Sequence, residues 1–432
     1  MASSVSFFER LFGFVESDYM STKTRLLRLC TFEKKGDKER CVMKLPIGNA
    51  TISSGWHSIP SIQELRSDVE EEVRRFNKSF PGVLNTVCVT LPPSPDNAAS
   101  IAPVSYRHIV GESGELHHRF PHALFQAASQ FNLLEFISRD VVPEDGVTHY
   151  IHDRTQGPAC ALACMAGTAY RNFLIHPSLF HDTPAADMQA GTQRSRAIGS
   201  NEPDPNLRGQ RASHQINTLL DVECHLRDEI QRNSAQLPYF RIQNGYFSPL
   251  VSFQHLYEHF QAVAEGGQDG SNSTVATLCE KYIIAALRIG LVEDATVTTP
   301  IYANDGSTTQ EALHTVSQAY CSALSLSSSV ATQSTALLAT SVLQGAYEGT
   351  LLFGILHALR TLERQIRDEG RSAEQLQLPT VFLTKVGGGV FNNEASWIKD
   401  AIRYGLHAVS PYGVPLDVAL VHFRCVDFRF TC

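Results

Sequence analysis

The chain has 432 residues, 43% of them apolar, and a formal charge of -8, so it can bury the core of one elaborated domain or two smaller ones. No stretch approaches 18 consecutive apolar residues, which argues against a membrane-spanning helix, and the acidic balance argues against broad nucleic-acid binding by phosphate neutralisation. A small anionic ligand stays open, because helix N-termini and backbone amides hold a diphosphate without a cluster of Lys or Arg.

The opening stretch, MASSVSFFERLFGFVESDYM, places Glu9 and Glu16 among its apolar residues. It lacks the basic start, long apolar core and small-residue cleavage site of a secretory signal. RLLRLC, CVMKL and VCVTL read as short strands, and SIQELRSDVEEEVRRF as an amphipathic helix. Residues 1–100 are expected to pack as an extension on the main domain. LPPSPDNAAS is a loop by its prolines and small polar residues.

From Arg107 the pattern sharpens. HALFQAASQFNLLEF predicts a strand, SRDVVPEDGVTHYIHDRTQG a polar loop, and PACALACMAGTAYRNFL a helix with Pro158 at its first position. The segment from His181 to Gln215 reads as a long surface insertion. QLPYFRIQNGYFSPL predicts a strand with a turn at Asn244 and Gly245, and AEGGQDGSNST a flexible loop. TLCEKYIIAALRIGL and AYEGTLLFGILHALRTLERQI are helical, while ALSLSSSVATQSTA is serine-rich yet too apolar for a linker. At the end, PTVFLT is a buried strand, GGGVFNN a loop, EASWIKDAIRYGLHAV a helix with Trp397, Ile398, Ala401, Ile402 and Leu406 on its apolar face, and LDVALVHF a strand. Strands alternating with helices give an α/β sandwich with a parallel or mixed sheet.

The ten cysteines show no CxxC pair and no zinc spacing, which reads as reduced thiols in a cytoplasmic or nuclear setting. Cys160 and Cys164 sit among alanines and read as packing. His255 and His259 share a helix face but lack the glutamate of an HExxH motif, so no metal is expected there.

Two stretches carry chemistry. Gly387, Gly388 and Gly389 stand between a strand and a helix, where bare amides can cradle a diphosphate, with Asn392 or Asn393 capping the helix. The alternative is a tight turn that binds nothing. No GK[ST] follows and no GxGxxG is present, which excludes a Walker loop and a Rossmann fingerprint. The second stretch, GVTHYIHDRTQGPACA, sets Asp153, Arg154, Thr155 and Gln156 before the helix opened by Gly157 and Pro158. Asp153 is either a cleft carboxylate or a capping acid.

HIVGESGELHHRFPHALFQAASQFNLLE resembles the opening of macrodomains, the ADP-ribose-binding modules. Gly111 and Glu112 fall at the glycine and aspartate of the family's first turn, His122 at its adenine-binding aspartate, and Gln126, Ala127, Ala128 and Ser129 at its NAAN residues. VGGGVFNNEASWI looks like the family's second phosphate loop. ASQFNLLE, DRTQGPA, YEGT and VGGGVFNNE resemble an atypical branch that includes a bacterial effector removing ADP-ribose from an arginine of ubiquitin. His122, Gln126 and Ser129 depart from the common pattern, so the asparagine-centred mechanism is not carried over.

The resemblance implies a macrodomain-like three-layer α/β/α sandwich with a mixed sheet over residues 101–432, carrying insertions at about 175–240 and 255–340. It implies ADP-ribose as ligand, no required cofactor and an ADP-ribosylated protein as partner, ubiquitin being the branch's example. The diphosphate would lie between Gly157 and the backbone of Gly387, Gly388, Gly389 and Val390. Phe391 would pack on the distal ribose or belong to the core. Gln126 or Asn132 would bond ribose hydroxyls, with Thr155, Gln156 and Asn392 nearby.

Cleaving the anomeric C–N bond builds oxocarbenium character that a carboxylate stabilises while activating water. Among Glu135, Asp140, Asp145 and Asp153, Asp153 stands first and Asp145 and Asp140 next, although PEDG is also a turn sequence. Glu348 is a further candidate or a first-turn acid. A reader that binds ADP-ribose without hydrolysing it is the alternative.

Overall fold

The computed structural model describes residues 6–46, 50–89, 102–180, 207–230, 238–265, 274–299, 313–326 and 333–431. The loop Leu91–Ser100, residues 181–206 of the expected insertion, most of AEGGQDGSNST, and 327–332 of the serine-rich stretch lie outside them.

Period-two alternation is clearest in the last strand, LDVALVH, where Leu416, Val418 and Leu420 enter one apolar cluster and Ala419 the other. Such a strand needs cover on both faces, and the chain supplies it. The strands are β1 (Cys30–Lys35), β2 (Lys38–Lys44), β3 (Thr51–Ser53), β4 (Trp56–Ser58), β5 (Val104–Val110), β6 (Leu124–Ala128), β7 (Phe240–Gln243), β8 (Tyr246–Pro249), β9 (Gly290–Thr296), β10 (Thr315–Cys321), β11 (Thr380–Leu383) and β12 (Leu416–His422).

Ten of them form one sheet in the order β1-β2-β4-β9-β10-β6-β11-β12-β5, with β3 beside β2. The run β10-β6-β11-β12-β5 is parallel, and β1, β2, β4 and β9 continue it antiparallel. One face is covered by helices Ile62–Ser79, Phe253–Glu265, Gln333–Arg367 and Ala395–Val409, the other by Phe7–Phe12, Tyr19–Leu27, Ser113–Arg119, Gln156–Ala163 and Met165–Ala169. The fold is therefore the expected α/β sandwich, a mixed sheet with helices on both faces.

Several elements differ from expectation in an instructive way. RLLRLC ends a helix and only its cysteine starts β1, while VCV closes the helix Val83–Val89. Their apolar residues suited either period, and neighbours decided between them. SIQELR does open a helix, with a capping box between Ser61 and Glu64. The stretch 255–340 contributes β9 and β10 to the main sheet, and the first hundred residues contribute β1 to β4 to the same sheet. Among the described residues no helix is long and apolar enough to cross a membrane.

Candidate functional site

The sheet opens at one seam. β6 and β11 pair only at Leu124 with Val381 and at Phe125 with Phe382. Beyond that register two glutamine carboxamides replace the missing ladder. Gln156 accepts from the Ala128 amide at 2.8 Å through Oε1 and donates to the Gln126 carbonyl at 2.8 Å through Nε2. Gln126 accepts from the Thr384 amide at 3.2 Å and donates to Thr350 Oγ1 at 2.9 Å and the Ala346 carbonyl at 3.3 Å. The chain leaving β6 enters the helix Gln156–Ala163 on one face, and the chain leaving β11 enters Ala395–Val409 on the other. Divergence of adjacent parallel strands to opposite faces leaves a crevice at their C-terminal ends, where open α/β sheets bind ligands.

The wall after β6 spans residues 129–155 and is held by its own side chains. Gln130 accepts from Phe136 N at 2.7 Å and donates to its carbonyl at 3.0 Å, and Asn132 accepts from Leu134 N at 3.1 Å while donating to Gln215 at 2.8 Å. Glu16, from the N-terminal extension, accepts from the amides of Val147 and Thr148 at 2.8 and 2.7 Å. Burial raises its pKa above the usual range against those bonds. Asp145 is exposed and accepts from Val142 N at 2.9 Å within its turn, and Asp140 is exposed. Asp153 is half-buried, and its Oδ1 accepts from Thr155 N at 2.8 Å. Among the described residues its Oδ2 has no hydrogen-bond partner.

Thr155 is the N-cap residue of Gln156–Ala163 but makes no side-chain cap bond. Gly157 lies so close to β6 that a Cβ there would sit 1.8 Å from the Ala128 carbonyl oxygen. Pro158 falls in the first turn rather than at its first position, where a missing N–H still costs no intrahelical bond.

The wall after β11 is backbone. Gly387 has φ 74° and would place a Cβ 2.5 Å from that of Ala323; at Gly388 one would meet Ile398 Cδ1 at 3.0 Å; at Gly389 nothing lies within 4 Å. Gly387 is thus required by its backbone and its neighbours, Gly388 is tight against a side-chain end, and Gly389 has open space. Gly388 N donates to Lys385 O, Asn392 N to Gly389 O and Asn393 N to Gly387 O, each at 3.0 Å. Among the described residues the amides of Gly389, Val390 and Phe391 find no acceptor, and Val390 is 71% exposed. Glu394 occupies the N-cap position without a side-chain cap bond, and the expected asparagines do not cap the helix: Asn392 sits at φ 54°, and Asn393 ties the loop to Leu324 O at 2.9 Å.

The walls meet where Phe391 lies edge-on to Tyr246 of the β7–β8 hairpin, ring centroids 5.6 Å apart. Tyr246 donates to Phe136 O at 2.6 Å, and burial together with the charge of Asp153 pushes its pKa up to about 12. Phe391 packs against both apolar clusters, so it is partly core.

Behind Gly157, Glu135 is fully buried beside Arg171 at 3.2 Å. Burial outweighs that partner and pushes its carboxyl up to about 7. The Arg171 guanidinium stacks 3.7 Å above the Tyr320 ring. The first turn expected near Gly111 packs that glycine on Leu116, and Glu112 is the N-cap residue of Ser113–Arg119. His122 lies before β6 at φ 61°, away from the C-terminal ends of the strands.

The stretches that follow the two strands therefore carry Asp153, Thr155, Gln156 and Gly157 on one side and the backbone from Gly387 to Asn392 on the other. Neither stretch carries Glu348, which lies well inside the helix Gln333–Arg367 and grips Arg66 in the helical layer at 2.7 and 2.8 Å. Gln126 and Asn132, expected at ribose hydroxyls, are instead fully buried with their carboxamides bonded inside the protein. Glu16 and Tyr246 were not singled out as site residues, because no local pattern links them to loops more than a hundred residues away. The rings of His255 and His259 lie 4.3 Å apart and tilted to one another, with His259 bonded to Tyr239.

No family model matches the chain, and no curated protein matches it. A solved structure is similar: the crystal structure of poly(ADP-ribose) glycohydrolase from Deinococcus radiodurans in complex with ADP-ribose, at 10% identity and a TM-score of 0.31, covering 87% of this chain and 91% of that chain.

Proposed function

We propose that the protein is an ADP-ribosylhydrolase that removes mono-ADP-ribose from protein side chains, with arginine as the linkage and ubiquitin as a substrate protein to test first. The observation that carries this reading is the pair of loops at the β6–β11 seam, one offering exposed backbone amides before a helix N-terminus and the other a carboxylate with an unused oxygen. The amides of Gly389, Val390 and Phe391 suit a diphosphate.

Asp153 suits the distal ribose. In the proposed step a water oxygen bonds the anomeric carbon, the C–N bond breaks with its electron pair going to the guanidine, and the water proton passes to Asp153 and then to the leaving nitrogen. Asp145 and Asp140 serve as auxiliary charges on the same loop. No cofactor is required for this chemistry.

The second reading is a reader that binds ADP-ribose without turnover. It is favoured by the engagement of Asp145 and Asp153 in local turns. Calorimetric titration with ADP-ribose, alongside Gly389→Glu, tests the site; that position has room for a side chain, so loss of binding there reports on the ligand and not on the fold. Asp153→Ala then separates the readings. Hydrolysis of ADP-ribosylated arginine that disappears while binding persists supports the enzyme, and binding by a wild type inert toward every linkage supports the reader.

A further inference from the structure

Resting on that reading of the glycine loop, we propose that Lys385 is the cationic contact for the bound diphosphate, and that Asp427 of the C-terminal segment competes with the ligand for it.

Lys385 directly precedes the loop. Its carbonyl accepts from Gly388 N at 3.0 Å, and its Cβ lies 3.5 Å from where a Cβ of Gly388 would stand. Its ammonium is 3.5 Å from Asp427 Oδ2 and 5.4 Å from the centre of the Phe430 ring. The carboxylate is shared, since Arg429 binds both of its oxygens at 3.0 and 2.7 Å. One anion thus faces two cations, and its better bonds go to Arg429. At 3.5 Å the lysine pair is looser than a charge-assisted hydrogen bond of about 2.7–2.9 Å.

The C-terminal segment does not depend on Lys385 for its place. Asp427 N donates to His422 Nδ1 at 3.0 Å, and Phe430 is buried in the core. The lysine can swing on its four-carbon stem toward a doubly charged ligand while the segment stays docked. In a chain of net charge -8 this local excess of positive charge stands against the background. It gives the loop the counter-charge that its backbone amides lack.

The test is calorimetry with two probes, ADP-ribose and inorganic pyrophosphate, on the full chain and on Asp427→Asn, Lys385→Met and the double variant. Asp427→Asn is expected to tighten both probes about threefold to tenfold, as removing one charge at this range in a largely aqueous setting would, and the gain shrinks at high salt. Lys385→Met is expected to weaken both, and in its background Asp427→Asn changes affinity less than about twofold. Melting temperatures check that each variant is folded.

Asp427→Asn binding equally or more weakly, or its gain surviving in Lys385→Met, overturns the inference while leaving the site reading intact if Gly389→Glu still abolishes binding. Failure of all four proteins to bind either probe overturns the site reading, and this inference with it.

Discussion

The two walls of the crevice are built from opposite materials. The loop after β6 spends Gln130, Asn132, Asp145 and Asp153 on hydrogen bonds to its own backbone and borrows Glu16 from the far end of the chain. The loop after β11 has bare glycines, and three of its amides have no acceptor among the described residues. The difference separates roles: side chains that fix one wall are unavailable for binding except at their unused atoms, while the other wall offers its backbone. A polar residue near a site is therefore weak evidence for contact until its existing partners are known.

Five substitutions would break or sharpen this contrast. Gly157→Ala forces a methyl into the Ala128 carbonyl, backbone against backbone, and should destabilise by more than about 3 kcal/mol in denaturant unfolding.

Glu135→Gln probes the support behind that wall. Because the folded chain holds the Glu135 proton to about pH 7 against a usual 4.5, its contribution to stability is fully present below about pH 4.5 and is lost as the pH rises toward 7. Over that window the wild type should lose up to about 3 kcal/mol relative to the variant. Parallel pH profiles of the two proteins would refute the assignment.

Glu348→Ala removes the main partner of Arg66 in the helical layer, with Glu280 still beside it at 2.6 Å. It should cost about 2 kcal/mol and leave ADP-ribose affinity unchanged. A large change in affinity with little change in melting temperature would return Glu348 to the site.

The smallest effect separates two neighbouring glycines. Gly387→Ala, at positive φ against Ala323, should cost about 1–2 kcal/mol, whereas Gly389→Ala, with open space and no positive φ, should stay within about 0.5 kcal/mol. Equal losses at both would mean that the third glycine is structural too.

Much of the architecture was legible because it is locally encoded. The last strand, loop, helix and strand follow from PTVFLT, GGGVFNN, EASWIKDAIRYGLHAV and LDVALVHF, each of which keeps its period without help from distant residues. The hairpin at Asn244 and Gly245 follows from its turn dipeptide, and both residues adopt positive φ there. RLLRLC and VCVTL were ambiguous because short apolar runs satisfy both periods. The capping asparagines were misplaced because a cap depends on where the helix begins, and three further loop bonds decide that here.

The sequence alone determined that the chain alternates strand and helix around a buried sheet and that bare backbone stands before its last long helix. Only the tertiary structure decided that β6 and β11, more than 250 residues apart, lie side by side and then part, and that Glu348 turns into the helical layer to meet Arg66. The reason is physical. Periodicity and capping are set by neighbours along the chain, whereas strand pairing, ion-pair choice and close backbone approach are set by whichever distant surfaces bury the most apolar area together.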